Sequence, residues 1–504
     1  MLEPYIPSAS EPFDYTRAAH LLRRAMIAPT HMEIQTAVDE GLEKTMNRLF
    51  TSYQPSLTHI HDFAGKEPWT APPPQGKEYD EWYAGHVDRI TRLLQWLHKN
   101  IYFSPVSITE RMILFWHRHF PLRAIMYAEY AYMQNVLLRR NSLGNFKQMM
   151  HEQTTNTLMH QNLNFFSNYV AYGNINVNEN YAREMLELFT VGLLDELGNH
   201  NYTQTDVHEA ARSFTGWFFG ESTTDDLHTG LESRFLDNRW DAGEKTFLGK
   251  TGKWKSADII NILFDEKPIQ IAKRICTKLY KTFVSEAVDT TVVNTLAQVF
   301  RSSNWEIQPV LQMLLTSKHF FDASKVGVLK KSHIEYVMGV LRQFQVDAIM
   351  DFNENYHRSG NLIFRMQRWG DMMFSPPNIS GWFGGRDWIN TSILPHRIEF
   401  AKNVMEGTLA PLPYVHQPNV YTINITDFTT NCSNRNSKTA FVDWIVQYLL
   451  PIRVSAEYKD SLLSVLLTYS ARDDWNIDDP DSKSEELIRK VLSLVVTHPS
   501  YQLY

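Results

Sequence analysis

The sequence predicts an all-α protein, a large multi-helix globular fold with long irregular loops and at most a small β-hairpin. Two observations carry this. Apolar residues recur at three- and four-residue spacing over most of the 504 positions, the period of a helix with one buried face. Strict alternation of apolar and polar residues is confined to a short stretch around Val420 to Ile425, within Tyr414 to Thr430, where a hairpin is expected.

The helical pattern covers Tyr15 to Ala28, Thr30 to Phe50, Tyr79 to Phe103, Thr109 to Arg140, Asn145 to Met159, Asn178 to Gly192 and Thr205 to Trp217. It resumes over Ser256 to Phe264, Pro268 to Val284, Val288 to Phe300, Trp305 to Ser317 and Lys331 to Gln345, then over Ser437 to Leu450, Ala456 to Ser470 and Ser482 to Thr497. Stretches rich in glycine, proline and small polar residues, at Gln54 to Lys77, Gly220 to Lys255 and Ser375 to Asn390, read as loops. Gly407 to Ser437 is a further polar break. The chain reads as one unit over 1–504 that can be divided into lobes 1–220 and 253–504, joined by loop 221–252.

Composition excludes several classes. Hydrophobic residues at 43% and charged residues at 21% are a globular mix, not the signature of disorder. A net charge of −7 argues against a broad phosphate-neutralising surface, so nucleic acid is not an expected partner. No run approaches the roughly 18 apolar residues of a membrane span. Met1 to Asp14 lacks the basic end and apolar core of a signal peptide, so the chain as written is expected in the cytoplasm, export remaining open if a leader precedes it. Two cysteines, Cys276 and Cys432, exclude a disulfide framework and a cysteine-rich metal knuckle.

Familiar motifs fail on spacing. Gly243-Glu-Lys-Thr-Phe-Leu-Gly249-Lys250-Thr251 has five spacers where a phosphate loop needs four, and no apolar helix follows, so a loop turn is expected. His208-Glu209-Ala-Ala-Arg212 lacks the second zincin histidine, and His151-Glu152 carries Thr155 at that place. Glu354 to His357 is the single Glu-x-x-His spacing where a di-iron bundle needs two. No Gly-x-Ser-x-Gly elbow is present.

Three clusters carry chemistry of their own. His117 and His119, in Phe-Trp-His-Arg-His-Phe-Pro, can converge on a metal where Pro121 turns the backbone; the other reading is an aromatic core with histidines bonded at its rim. Arg183, Glu184 and Glu187 in one helix, with Glu209 and Arg212 in the next, form either an ion-pair network or a carboxylate acid/base or metal site. Thr203 to Asp206 offers a start signal that sets the second helix a short loop after the first. In the loop Pro376 to Asn390, Asn378, Trp382, Arg386 and Trp388 form the wall of a pocket for a planar or sugar-like ligand, or the tryptophans plug the loop onto the core.

These segments together resemble a bacterial family known as domain of unknown function 1800. The resemblance runs through Ala18-Ala-His-Leu-Leu-Arg-Arg-Ala25, Phe115-Trp-His-Arg-His-Phe120, Asn178 to Gly192 and Tyr202 to Trp217. It continues through Asp241 to Gly249, Pro376-Pro-Asn-Ile-Ser-Gly-Trp382 and the closing Tyr501-Gln-Leu503. It implies a largely helical bacterial protein of unsettled activity whose gene neighbours include a sulfatase-like family, hence a sulfatase-like partner. Relatives often carry histidine where this chain has Trp240, so any metal role of that position is absent here. The expected function is a binding or accessory role, with the Pro376 to Asn390 loop and the acidic helices forming one cleft. The alternatives are a metal-dependent hydrolase or oxidoreductase, which calls for a divalent metal on the carboxylates and histidines, and a structural scaffold, which calls for no pocket.

Overall fold

A computed structural model describes residues 2–57, 60–66, 76–124, 127–172, 174–218, 233–346, 361–408, 421–468, 476–478 and 483–504. Twenty α-helices and three two-stranded antiparallel hairpins occur among them. The all-α class therefore holds.

The first helices are α1 (Tyr15–Ala25), α2 (His31–Leu49), α3 (Lys77–Tyr102), α4 (Thr109–His119) and α5 (Ala128–Arg140). Thr30 starts α2 with a capping box, its hydroxyl taking the Glu33 N–H while Glu33 reaches back to Thr30 N. The periodic stretch Thr109 to Arg140 is two helices, not one. Pro121 cannot continue a helix, and α4 stops at His119 just before it. Asn145 to Met159 divides likewise into α6 (Phe146–Thr154) and α7 (Thr157–Asn162), because the Asn156 side chain caps a new start by accepting from Met159 N–H.

The helix α8 (Asn180–Glu184) passes into a π-turn, Met185–Phe189, and α9 (Gln204–Ser213) begins at a Thr203–Asp206 capping box, as that start signal predicts. Hairpins follow the pairings β1 (Tyr169–Ala171) with β2 (Asn174–Asn176), β3 (Trp217–Phe218) with β4 (Arg234–Phe235), and β5 (Lys245–Phe247) with β6 (Lys250–Gly252). The Gly243 to Thr251 stretch is this last hairpin, turning at Leu248 and Gly249, both with positive φ.

The second half contains α10 (Ser256–Glu266), α11 (Pro268–Phe283), α12 (Thr290–Ser302), α13 (Ile307–Leu315), α14 (His333–Gln343) and α15 (Asn361–Arg368). It ends with α16 (Ile393–Glu406), α17 (Ile425–Thr429), α18 (Lys438–Leu449), α19 (Ala456–Leu466) and α20 (Ser484–Thr497). The hairpin expected in Tyr414 to Thr430 is corrected over residues 421–430, which contain α17 instead. Asn424 caps that helix through the Asp427 N–H, and the alternation before it stays unpaired. Residues 414–420 and the Glu354 to His357 spacing lie outside the described residues.

Buried apolar side chains from Leu2 to Tyr501 form one continuous cluster. Polar contacts tie distant segments across it. Tyr504 N–H donates to Leu329 O (3.0 Å) and Lys331 N–H to Gln502 O (2.9 Å), which brings the last residue beside α4 and α14. Buried Arg111 on α4 pairs with Glu335 on α14 and donates to the carbonyls of Arg23 and Met26. No helix among the described residues is long and apolar enough to cross a membrane.

Candidate functional site

α4 and α11 face each other across a cleft of about 580 Å³, closed on one side by residues 380–388 and on another by Tyr504. That volume lies in the range of small-molecule sites. Helical spacing explains the α4 wall: Arg111, Leu114, Phe115 and Arg118 recur every three or four residues and so share one face. The α11 wall arises the same way, from Lys278, Lys281 and Thr282. A second cleft of about 490 Å³ adjoins the first and shares Lys278 and Lys281 with it.

The loop that the sequence singled out does line the first cleft, through Trp382, Arg386 and Trp388. Its two indoles divide the two roles offered for them. Trp388 is buried, packs edge-on to His333 (5.3 Å) and lies under the Arg118 guanidinium (4.9 Å). Trp382 is half-buried, donates from Nε1 to Gly370 O (2.9 Å) and leaves part of its ring in the cleft. Phe383 beside it is 76% exposed at the cleft mouth. Arg397 of α16 holds the loop from behind, donating to Trp388 O (3.2 Å) and Lys331 O (2.9 Å). Gly381, at φ +82°, is required by close approach: a Cβ there would sit 3.0 Å from Pro121 and 3.3 Å from Arg118 O. Asn378 does not line the cleft; its side chain accepts from Ser380 N–H (2.9 Å) and shapes the turn.

His117 and His119 stand apart in role. His117 Nε2 accepts the Phe374 N–H (2.9 Å), fixing the start of the loop to α4. Burial, then the Arg118 charge, pushes its pKa down to about 3. His119 Nε2 donates to Phe189 O (3.0 Å), so its Nδ1 is the acceptor for Lys278 Nζ at 2.8 Å. Burial and the charges of Lys278 and Arg274 hold this imidazole neutral, well below the usual histidine range. Among the described residues no group of three or more histidine, cysteine or carboxylate side chains is placed to hold a metal.

Around His119, three donors converge on the end of the π-turn. Arg274 gives N–H bonds to Glu187 O (2.7 Å) and Leu188 O (3.3 Å), Lys278 reaches Leu188 O (3.4 Å), and His119 takes Phe189 O. Carbonyls at a helix end attract such donors. Gly192, at φ +80°, makes room for this, since a Cβ would lie 2.6 Å from an Arg274 nitrogen. Arg274, Lys278 and Lys281 were not among the residues the sequence marked. Their only signal is a basic stripe at four- and three-residue spacing on the polar side of an amphipathic helix.

The acidic helices divide into separate arrangements. Glu179 accepts from Arg183 (3.0 Å) and Gln204 (2.7 Å) and meets His208 (3.1 Å), tying α8 to α9. Glu209 is gripped by Arg212 (2.9 Å) and accepts Thr246 N–H (3.0 Å), while Arg212 also binds buried Asp241 (2.7 Å). Glu187 instead acts on Glu184: burial first, then the Glu187 charge, lifts the Glu184 carboxyl to about 7. Tyr202 belongs to this pair, its hydroxyl raised to about 12 by burial and by Glu187. Glu209 thus serves the β5 hairpin, and none of these carboxylates lines the cleft.

The cleft walls carry six basic side chains, Arg111, Arg118, Lys278, Lys281, Lys330 and Arg386, against two acids, Glu286 and Glu335. Both acids are already matched, Glu286 to Lys330 (2.8 Å) and Glu335 to Arg111. Lys281 and Arg386, both exposed, have no ion-pair partner among the described residues. The site is electropositive inside a chain of net charge −7. No curated protein and no solved structure matches the chain significantly. A family model described as protein of unknown function (DUF1800) matches residues 20–503, a span that takes in α4, α11 and the tryptophan loop, and the chain belongs to that family.

Proposed function

We propose that the protein is a binding protein for an anionic small molecule with a flat apolar face, taken up in the cleft between α4, α11 and the 380–388 loop. The observation that carries this reading is the excess of cations: exposed Lys281 and Arg386 have no ion-paired counter-charge among the described residues. A carboxylate, phosphate or sulfate group supplies it, and arginine matches such groups with paired donors. Trp382 and Phe383 supply the surface for a ring, as planar and sugar ligands require. A sulfate ester fits this chemistry, which is also what a sulfatase-like partner would share. Calorimetric titration with inorganic phosphate, inorganic sulfate, a sulfated sugar and its unsulfated parent tests the reading. Binding should favour the anions and weaken from 50 to about 500 mM salt as the Debye length shrinks. Equal or absent binding of all four removes the reading.

A second reading, an acid–base enzyme at Glu184 and Glu187, has one specific support, the carboxyl lifted to about 7. The metal-dependent form of that reading needs stoichiometric metal in the purified protein, which elemental analysis measures directly.

A further inference from the structure

We propose that the Lys278 amine is a carbonyl-capture site, condensing reversibly with an anionic aldehyde or ketone that enters the cleft. The anionic part of that ligand rests on the binding reading above; the amine chemistry does not.

Lys278 lines both clefts at their junction, so a carbonyl can approach it from either. Its bonding is fixed by His119, whose Nε2 must donate to Phe189 O, so that Nδ1 presents a lone pair to the lysine at 2.8 Å. A second N–H goes to Leu188 O at 3.4 Å. A neutral amine that gives both N–H groups to these acceptors has a lone pair left over. No carboxylate pairs with Lys278 among the described residues, which would otherwise hold it as an ammonium.

The Arg274 charge acts in the same direction. Arg274 lies one turn earlier on α11, near Glu187; Lys281 follows on the same helix, Arg118 and Arg386 lie across the cleft, Arg118 paired with Asp371, and Glu286 is bound to Lys330. Burial, then the Arg274 charge, brings the Lys278 ammonium from its ordinary 10.5 down to about 7. Lysines placed in this way are the ones that form imines.

The reaction balances without a co-reactant. The amine lone pair attacks the carbonyl carbon, a C–N bond forms, and one amine proton passes to the oxygen to give a carbinolamine. The nitrogen then expels that oxygen with the second amine proton as water, the C–O bond breaks, and C=N forms. Arg274 acts only through Lys278 and is a positioning residue.

The test uses the full chain with pyridoxal 5′-phosphate and, separately, pyridoxal, followed by borohydride reduction and peptide mass mapping. One equivalent of reduced adduct on Lys278 is expected from both, with a labelling midpoint near about 7 rather than 10.5. The phosphorylated probe should label at roughly tenfold lower concentration, and inorganic phosphate should protect against it. Lys278→Met and Lys278→Arg should each abolish that adduct, the arginine variant keeping a donor for His119 so that its fold can be checked by melting. Arg274→Gln should move the midpoint upward, which a purely structural role would not do. Label spread over surface lysines, or unchanged in the Lys278 variants, overturns the proposal. Calorimetric phosphate binding with no adduct on Lys278 overturns the capture and leaves the binding reading standing. Selective labelling by both probes with no advantage to the phosphate does the reverse.

Discussion

The α4–α11 cleft and the α8–α9 acidic helices both gather several charged side chains, and they use charge in opposite ways. On α9, Arg212 is shared by Glu209 and Asp241, and the carboxylates also accept backbone N–H groups, so each charge is answered within the fold. In the cleft the acids are used up and cations are left over. A charge that the fold does not answer, beside apolar rings that it does not cover, is free to act on something else.

The largest test of that contrast is on the network side. Asp241→Ala leaves Arg212 half-answered and frees Gly243 N–H, and should cost about 3 kcal/mol, the low end for breaking a buried pair because Arg212 is partly exposed. Urea denaturation measures this. A loss under about 0.5 kcal/mol would mean that the network is no better compensated than the cleft.

The second test is acid. His117 beside the cleft and His160 beneath the β3 hairpin are buried and held neutral, with pKa values lowered to about 3 and about 4. In the unfolded chain each takes a proton near 6.5, so the unfolded state binds more protons as pH falls and stability drops between about 6.5 and 4. At pH 5 each costs about 2 kcal/mol. Melting temperature should therefore fall steeply over that window, and His117→Gln should flatten part of the slope. A flat profile would break the assignment of buried, neutral imidazoles to these two positions.

How much of this was legible follows from particular residues. The helix class was, because one-sided burial writes a 3.6-residue period into α11, α12 and α20. α16 was not: Pro395 looks like a breaker, yet it occupies the first turn, where its missing N–H costs nothing. The tryptophan loop was legible as a wall because bulky rings among glycines have to be packed or used. His119 was visible as chemistry, but its partner was not. Lys278 lies 159 positions away, on a helix whose basic stripe looks like any solvated face until α4 is laid against it. Glu184 and Glu209 were grouped by proximity in sequence, whereas α9 turns Glu209 toward β5 and the π-turn keeps Glu184 with Glu187.

A third test concerns that last pair. The Glu184 carboxyl is raised to about 7 in the folded chain against an ordinary 4.5, so the folded state binds more protons and stability falls as pH rises through that window. Glu184→Gln removes the cost and should stabilise the protein by about 1 kcal/mol at pH 8, with no gain at pH 4. Loss of stability at both pH values would show the carboxylate to be answered after all, like Glu209.

The smallest effect on stability should fall where the functional effect is largest. Lys281 and Arg386 are exposed and make no ion pair among the described residues, so Lys281→Ala and Arg386→Ala should each change unfolding free energy by no more than about 0.5 kcal/mol. If the cleft holds an anion, each removes a charge-assisted contact of about 1.5 kcal/mol, roughly a tenfold rise in Kd. The two act on one ligand from opposite walls, so the double variant should lose more than either alone and should also show a shallower dependence of binding on salt. A structural role predicts the reverse order: stability would fall in proportion to packing lost, and Kd would follow stability. Chemical denaturation and phosphate titration on the same three variants separate the two outcomes, because only a cation kept for a ligand can be deleted from the fold without being missed by it.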